Sequence, residues 1–235
     1  MESAEDTFHG VQALMFDFYG TVVDMQGGLT EAITPYLARK NYTANAPSRV
    51  VTWWRRTHFE NSMIDALLHR EHTPYREIGH RAVAYTLERA GIAYSMDEVR
   101  YLVAQIERLE PFPDVPKAIA RLSTRYKTAV LSNGDPDMLE AAKAFHKILF
   151  DAVISVAVAN AFKPHVATYR KAAEIMGVRT DEVLFVANHA FDCIGAKSAG
   201  MYTTFINRRA RPFGMTPHQP DLVVPDMQSL ADQLV

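Results

Sequence analysis

Four short segments concentrate the side chains able to do covalent chemistry. They are Asp17-Phe18-Tyr19-Gly20-Thr21, Ser132-Asn133-Gly134, Lys163-Pro164 and Asn188-His189-Ala190-Phe191-Asp192. Together they supply two carboxylates, hydroxyls, an ammonium and an imidazole, the groups used in nucleophilic and general acid–base catalysis. Each alone has an ordinary explanation. An Asp after a strand caps a turn or helix, Ser-Asn-Gly is a common turn, and a lone Lys before Pro is a solvated charge. Their order, and where each falls relative to the predicted strands, carries more weight than any one of them.

The elements that must position these residues are visible in the hydrophobic pattern. Val11–Phe18 is a near-continuous apolar run ending on a carboxylate, as in a strand buried on both faces, and Gly20 then permits a tight turn. From about Leu29 to Glu110 apolar residues recur at helical spacing, with Gly91 as a C-cap and Ser95-Met96-Asp97-Glu98 as a capping box for a helix through about Leu109. This region predicts an all-helical insertion of about four helices. After the Pro-rich hinge 110–114, strands and helices alternate. Helices are predicted at about Val115–Arg125, Asp137–Phe145, Val166–Met176, Cys193–Ala199 and Met227–Leu234. Strands are predicted at Thr128–Ser132, near Ala152–Ser155, at Val183–Ala187 and at Thr203–Ile206. The expectation is an α/β fold, a Rossmann-like doubly wound parallel sheet, with an inserted helical cap domain. The core would be 1–25 and 111–235, and the cap 26–110. Parallel sheets place ligand groups at the carboxyl ends of their strands, which is where all four segments fall.

Composition narrows the function classes. The chain has 235 residues, 48% hydrophobic and 22% charged, the profile of an ordinary globular protein. A formal net charge of -2 gives no basic excess for nucleic acid or an anionic membrane. The lone Cys193 excludes an intramolecular disulfide and a Cys-based zinc site, and fits a cytoplasmic location. No apolar run is long enough for a membrane span, and the acidic, polar start MESAEDTFHG predicts no signal peptide.

Taken in order, the four segments resemble the four motifs of the haloacid dehalogenase superfamily, and the helical insertion falls where that superfamily carries a cap. Within it the chain is most similar to the 2-haloacid dehalogenases. Trp54-Arg55-Arg56 falls where that subgroup has a halide-binding Arg, and Phe205-Ile206-Asn207-Arg208 resembles its segment after the last core strand. Superfamily phosphatases carry a second Asp at the position of Tyr19 and a pair of acids in the last motif. Here only Asp192 of that pair remains, and Asn188 takes the other place. Tyr, with an ordinary pKa of about 10, is a poor acid for a leaving alcohol. Magnesium prefers anionic oxygens, so losing one carboxylate removes a ligand. The expectation is a site with no metal and no cofactor.

The resemblance then implies carbon chemistry. Asp17 would displace a leaving group from C2 of a small 2-halo carboxylate, and water would hydrolyse the aspartyl ester to a 2-hydroxy acid. It implies that Lys163 keeps Asp17 ionised, that Thr21 fixes its rotamer, and that Arg55 and Asn133 cradle the halide. Ser132 and the backbone N–H groups around Phe18 and Tyr19 would bind the substrate carboxylate. Asp192 would orient or activate the hydrolytic water, with Tyr169 as its partner, while Asn188 and Phe191 would complete the site. His189 departs from the subgroup's Asn; it is either a base for ester hydrolysis, imidazole being suited to work near neutral pH, or a packing residue.

Other features have ordinary readings. Trp53, Trp54, Phe59 and Met63 could line a pocket, but such a stripe more often forms the cap's own core or a dimer surface. His58, His69 and His72 match no zinc spacing and are expected to be solvated. Cys193 is expected to be buried and inert, and Arg208, Arg209 and Arg211 to form a solvated loop. The resemblance suggests a homodimer. Three other functions stay open: opening of a strained ring amine such as azetidine-2-carboxylate, a residual phosphatase, and a non-catalytic scaffold.

Overall fold

The computed structural model describes residues 8–68 and 71–235. Strand β1 (Ala13–Phe16) is shorter than the apolar run that announces it. All four of its residues are inaccessible to solvent, as a strand covered on both faces requires. The chain then enters four helices: α1 (Met25–Arg39), α2 (Pro47–Leu67), α3 (Tyr75–Arg89) and α4 (Met96–Ala104). Their ends follow local chemistry. Asp24 accepts from Gly27 N at 2.9 Å to cap α1, and Pro stands at the start of α2. Helix α3 stops at Gly91, whose φ is +70°, with Ile92 N donating to Leu87 O and Gly91 N to Glu88 O. The Ser95–Glu98 capping box opens α4 as expected. Helix α4 ends earlier than predicted, because its last turn tightens into a 3-10 helix over Gln105–Arg108 ahead of Pro111.

The chain leaves and returns to the sheet side by side. Asp24 N donates to Glu110 O and Phe112 N to Val22 O, and Val23 bridges to Pro111. The remainder alternates: α5 (Val115–Leu122), β2 (Lys127–Ser132), α6 (Pro136–His146), β3 (Ala152–Ser155), α7 (Val166–Met176), β4 (Val183–Ala187), α8 (Ala190–Ser198), β5 (Tyr202–Ile206), β6 (Leu222–Val224) and α9 (Met227–Leu234). All strand pairs are parallel, in the order β3-β2-β1-β4-β5-β6. The order reverses between β1 and β4, so the crevice beyond their carboxyl ends is the topological switch point. Asp17 follows β1 and Asn188 follows β4 directly.

Beyond such shifts at the ends of elements, β6 and α8 also differ from expectation. Strand β6 has only three residues on the sheet edge, too few for a periodic signal. Helix α8 starts at Ala190 rather than Cys193, which puts Asp192 in its first turn, where the helix dipole favours negative charge.

One contact ties the sheet to the inserted helices. Helix α3 has Pro74 at its N-cap and no side-chain cap of its own. Buried Asp135, which follows the Ser132–Gly134 turn, supplies the cap instead, accepting from Tyr75 N at 2.8 Å and Arg76 N at 2.9 Å. Replacing Asp135 with Ala leaves two donors at the helix end unpaired and is expected to cost about 1–3 kcal/mol in urea denaturation.

Candidate active site

The floor of the crevice is an ion triad out of contact with bulk water. Asp17, Lys163 and Asp192 are 6%, 1% and 0% exposed. The Lys163 ammonium donates to Asp17 Oδ1 at 2.7 Å, Asp192 Oδ2 at 2.7 Å and the Leu131 carbonyl at 2.9 Å. All three of its N–H bonds are thereby used. The second oxygen of each carboxylate is also held. Thr21 Oγ1 donates to Asp17 Oδ2 at 2.7 Å, and Tyr169 OH to Asp192 Oδ1 at 2.5 Å. His189 Nδ1 lies 3.2 Å from Asp17 Oδ2. Burial alone would raise the Asp17 pKa, but the Lys163 charge and the His189 contact outweigh it and hold the carboxyl below its ordinary range. Burial and the Asp17 charge push Asp192 the other way, upward. Burial would lower Lys163, but its two carboxylates raise it.

A cavity of about 880 Å³ opens above this floor. Of the residues expected in the site, Asp17, Tyr19, Arg55, Asn133, Lys163, His189 and Phe191 line it. Arg55 reaches in from α2, with Nη1 donating to Gln26 Oε1 at 2.9 Å. Asn133 Oδ1 accepts from Lys163 N at 3.0 Å. Phe191 packs on Phe59 of α2, ring centroids 4.3 Å apart, and Tyr19 stacks on Tyr75 at 5.7 Å.

The other expected residues lie beneath that lining. Ser132 is fully buried, and its Oγ accepts from Gly134 N, shaping the turn rather than facing the cavity. Asn188 N donates to Thr21 Oγ1 and its Nδ2 to Gly20 O, so it clamps the β1 loop to the β4 loop. The Phe18 ring packs against Tyr19 and His146, while the Phe18 carbonyl accepts from Thr21, Val22 and Val23. Thr21, Tyr169 and Asp192 reach the cavity only through Asp17 and Lys163.

Residues 11–200 match the model of the haloacid dehalogenase-like hydrolases. The chain belongs to that family. It is 36% identical over 200 residues to an (S)-2-haloacid dehalogenase from Xanthobacter autotrophicus, covering 84% of this chain and 76% of the relative. It is 27% identical to haloacetate dehalogenase H-2 of Moraxella sp. (strain B), over 94% of this chain and 96% of that one. The solved L-2-haloacid dehalogenase of Xanthobacter autotrophicus with chloropropionic acid covalently bound superposes with a TM-score of 0.82 at 31% identity, covering 94% and 97% of the two chains.

For a dehalogenase-like hydrolase, the donor set here does not suit a magnesium ion. Asp17 and Asp192 already share an ammonium, and Asn188, at the position of the missing acid, turns its amide nitrogen to a carbonyl. A divalent ion between the carboxylates would face the Lys163 charge.

Three solvated readings are corrected. His58 is 1% exposed, with Nε2 at 3.0 Å from Tyr75 O, and burial pulls its pKa down to about 3. His72 is half-buried against Phe162, while His69 lies outside the described residues. Arg208 is pinned by Asp114 at 2.9 Å, the Thr21 carbonyl and the Phe112 ring, whereas Arg209 and Arg211 are exposed as expected and line the cavity. Of the aromatic stripe, Trp53 and Phe59 line the cavity, whereas Trp54 is core. Cys193 is buried, as expected. Gln26, which carries no motif in the sequence, faces Arg55 as well.

Two outcomes test this geometry. Gly20 has φ +91°, and a Cβ there would approach His189 Cε1 to 2.9 Å. Gly20→Ala is expected to lower stability by about 1 kcal/mol through backbone strain and to move His189 off Asp17, seen as a longer Nδ1–Oδ2 distance in a crystal structure. Lys163→Met leaves two buried carboxylates without their cation, a loss of about 3–5 kcal/mol near neutral pH. In that variant both folded-state pKa values lie above the unfolded ones, so the deficit shrinks as pH falls toward 5 and the carboxylates take up protons. Urea titrations of both proteins at pH 7.5 and 5 measure it.

Proposed function

We infer that this chain is a hydrolase that releases halide from C2 of a small 2-halo carboxylate. The observation that carries the reading is the Lys163 ammonium bridging Asp17 and Asp192. It keeps Asp17 anionic, and Tyr19 and Asn188 stand where a superfamily phosphatase carries acids, so the site has a charged nucleophile without the further carboxylates a phosphoryl-transfer metal would need.

In the first step an oxygen of Asp17 attacks C2, the carbon–halide bond breaks with its electron pair on the halide, and an aspartyl ester forms. The leaving anion needs no proton, which matches Tyr19 at the acid position. Burial pushes the Tyr19 hydroxyl well above its ordinary pKa, so it is a weaker proton donor still. Arg55 and Asn133 supply N–H groups to the departing halide. The N–H groups at Phe18 and Tyr19 hold the substrate carboxylate. Preorganised donors of this kind contribute about 2.7–4 kcal/mol each where one has been removed in other enzymes.

In the second step water attacks the Asp17 carboxyl carbon and the 2-hydroxy acid departs. Asp192 is fully buried behind Lys163 and does not line the cavity, so it orients the triad and does not touch the water. His189, at the cavity wall beside Asp17 Oδ2, takes one proton from the water and returns it to the oxygen on C2 as the acyl C–O bond breaks, so that a hydroxyl leaves; the water's second proton is released to solvent as Asp17 regains its carboxylate. Residues 26–110 act as a cap over a core of 1–25 and 111–235, the cap supplying Arg55. No metal takes part. The working form is a cytoplasmic homodimer, which light scattering after size exclusion tests for its stoichiometry.

Wild-type enzyme and Asp17→Asn are to be compared for halide release from 2-chloropropionate. At least about a thousandfold loss is expected, and equal rates would remove Asp17 from the reaction. His189→Gln is expected to release one equivalent of halide in a burst and then stall, kcat falling about 10²–10⁴-fold, with the ester visible as added protein mass. Excess chelator is expected to leave the wild-type rate unchanged.

A further inference from the structure

The cavity wall carries more positive charge than a single substrate carboxylate requires. Asp17 is the one acid in the lining, and it belongs to Lys163. Arg56 is paired with Glu60. Arg49, Arg55, Arg209 and Arg211 line the same cavity with no carboxylate partner among the described residues. Arg55 donates to the neutral amide of Gln26, and its Nε is buried without an acceptor. Arg209 and Arg211 are exposed at the outer side, on the loop after β5. Their sequence neighbour Arg208 shows the contrast, with both an acid and a ring as partners.

The like charges act on one another. Burial and the Arg209 charge pull Arg55 down to about 10, and partial desolvation against the cavity wall and the Arg211 charge pull Arg209 down. Asp24, the carboxylate whose field reaches both Arg55 and Arg209, is committed to capping α1. Guanidinium groups gathered on one wall without an acid among them form a field suited to a further anion. The volume points the same way, because a cavity of about 880 Å³ is far larger than a two- or three-carbon haloacid fills.

We propose that the outer end of the cavity is a second anion subsite, centred on Arg209 beside Arg55 and assisted by Arg211, and that the substrate is a 2-halo dicarboxylate whose distal carboxylate docks there. The assignment of the halide rests on the dehalogenase reading above; the subsite itself does not.

Binding of stable 2-hydroxy acids tests the subsite without turnover. In calorimetry on the wild-type protein, malate is expected to bind at least about tenfold more tightly than lactate, with the preference shrinking as KCl is raised. Arg209→Gln is expected to bring the two affinities within about twofold while the lactate affinity holds. Arg209 is exposed, so the substitution leaves the fold intact; a matching melting temperature checks this. Equal affinities in the wild type, or a preference that survives the Arg209→Gln, Arg211→Gln double variant, would overturn the subsite. A parallel assay compares halide release from 2-chlorosuccinate and 2-chloropropionate, with the former expected to show the higher kcat/KM and to lose it in Arg209→Gln. Turnover of chloropropionate without a malate preference sinks the subsite alone. Arg209-dependent malate binding without halide release from either substrate sinks the dehalogenase reading and leaves the subsite standing.

Discussion

The structure depends on one buried cation. Removing an ammonium from water costs several kcal/mol even after the surroundings relax, and the cost is offset only when every N–H finds a good acceptor. Lys163 meets that condition with two carboxylates and one carbonyl, all within 2.9 Å. The converse also holds. Neither Asp17 nor Asp192 could stay ionised at its depth without the ammonium between them, since two unpaired carboxylates in one site drive at least one to protonate. The three residues come from the ends of three different chain segments. The triad therefore forms only when β1, the turn before α7 and α8 are all in place, and a nucleophile held this way is a product of the whole sheet.

One negative charge is left over on the triad, and the surrounding polar groups are arranged around it. Thr21 and Tyr169 each donate to one carboxylate, and Asp192 lies in the first turn of α8, where the helix end favours an anion. Thr21 has two tasks, because its oxygen also accepts from Asn188 N. That single hydroxyl couples the rotamer of Asp17 to the loop after β4, the loop that carries His189. Fixing both with one atom keeps imidazole and carboxylate in register across the switch point.

The residues that could be read from the sequence are those whose meaning is local. A buried parallel strand needs an apolar run, so β1 and β4 were visible, and Asp17 and His189 could be placed at their ends. Capping boxes, Gly91 and the Pro hinge mark helix ends through interactions a few residues long. What was hidden depends on contacts far apart in the chain. Nothing near Asp135 shows that it caps a helix about sixty residues earlier, and nothing near Arg208 points to Asp114. His58 looked solvated because its helix is polar overall, yet it faces Tyr75. Ser132 and Asn188 belong to the right segments, but residue type alone does not tell a hydroxyl or amide that faces substrate from one that braces a turn.

The nature of the cation also bears on which bond the site can break. A divalent ion stabilises charge on two oxygens at once and needs open coordination positions for substrate. An ammonium with all three protons committed offers neither, so Lys163 acts on the nucleophile and not on the leaving group. Charge on the leaving group must then be met from the other side of the cavity, by donors that do not compete for Asp17. Arg55 satisfies this because it comes from a different part of the chain and is tethered by Gln26 rather than by an acid. The division of labour, one fixed cation beneath the nucleophile and uncommitted N–H groups above it, suits a group that departs as an anion without a proton. It follows from where the two basic side chains are anchored, before any substrate enters.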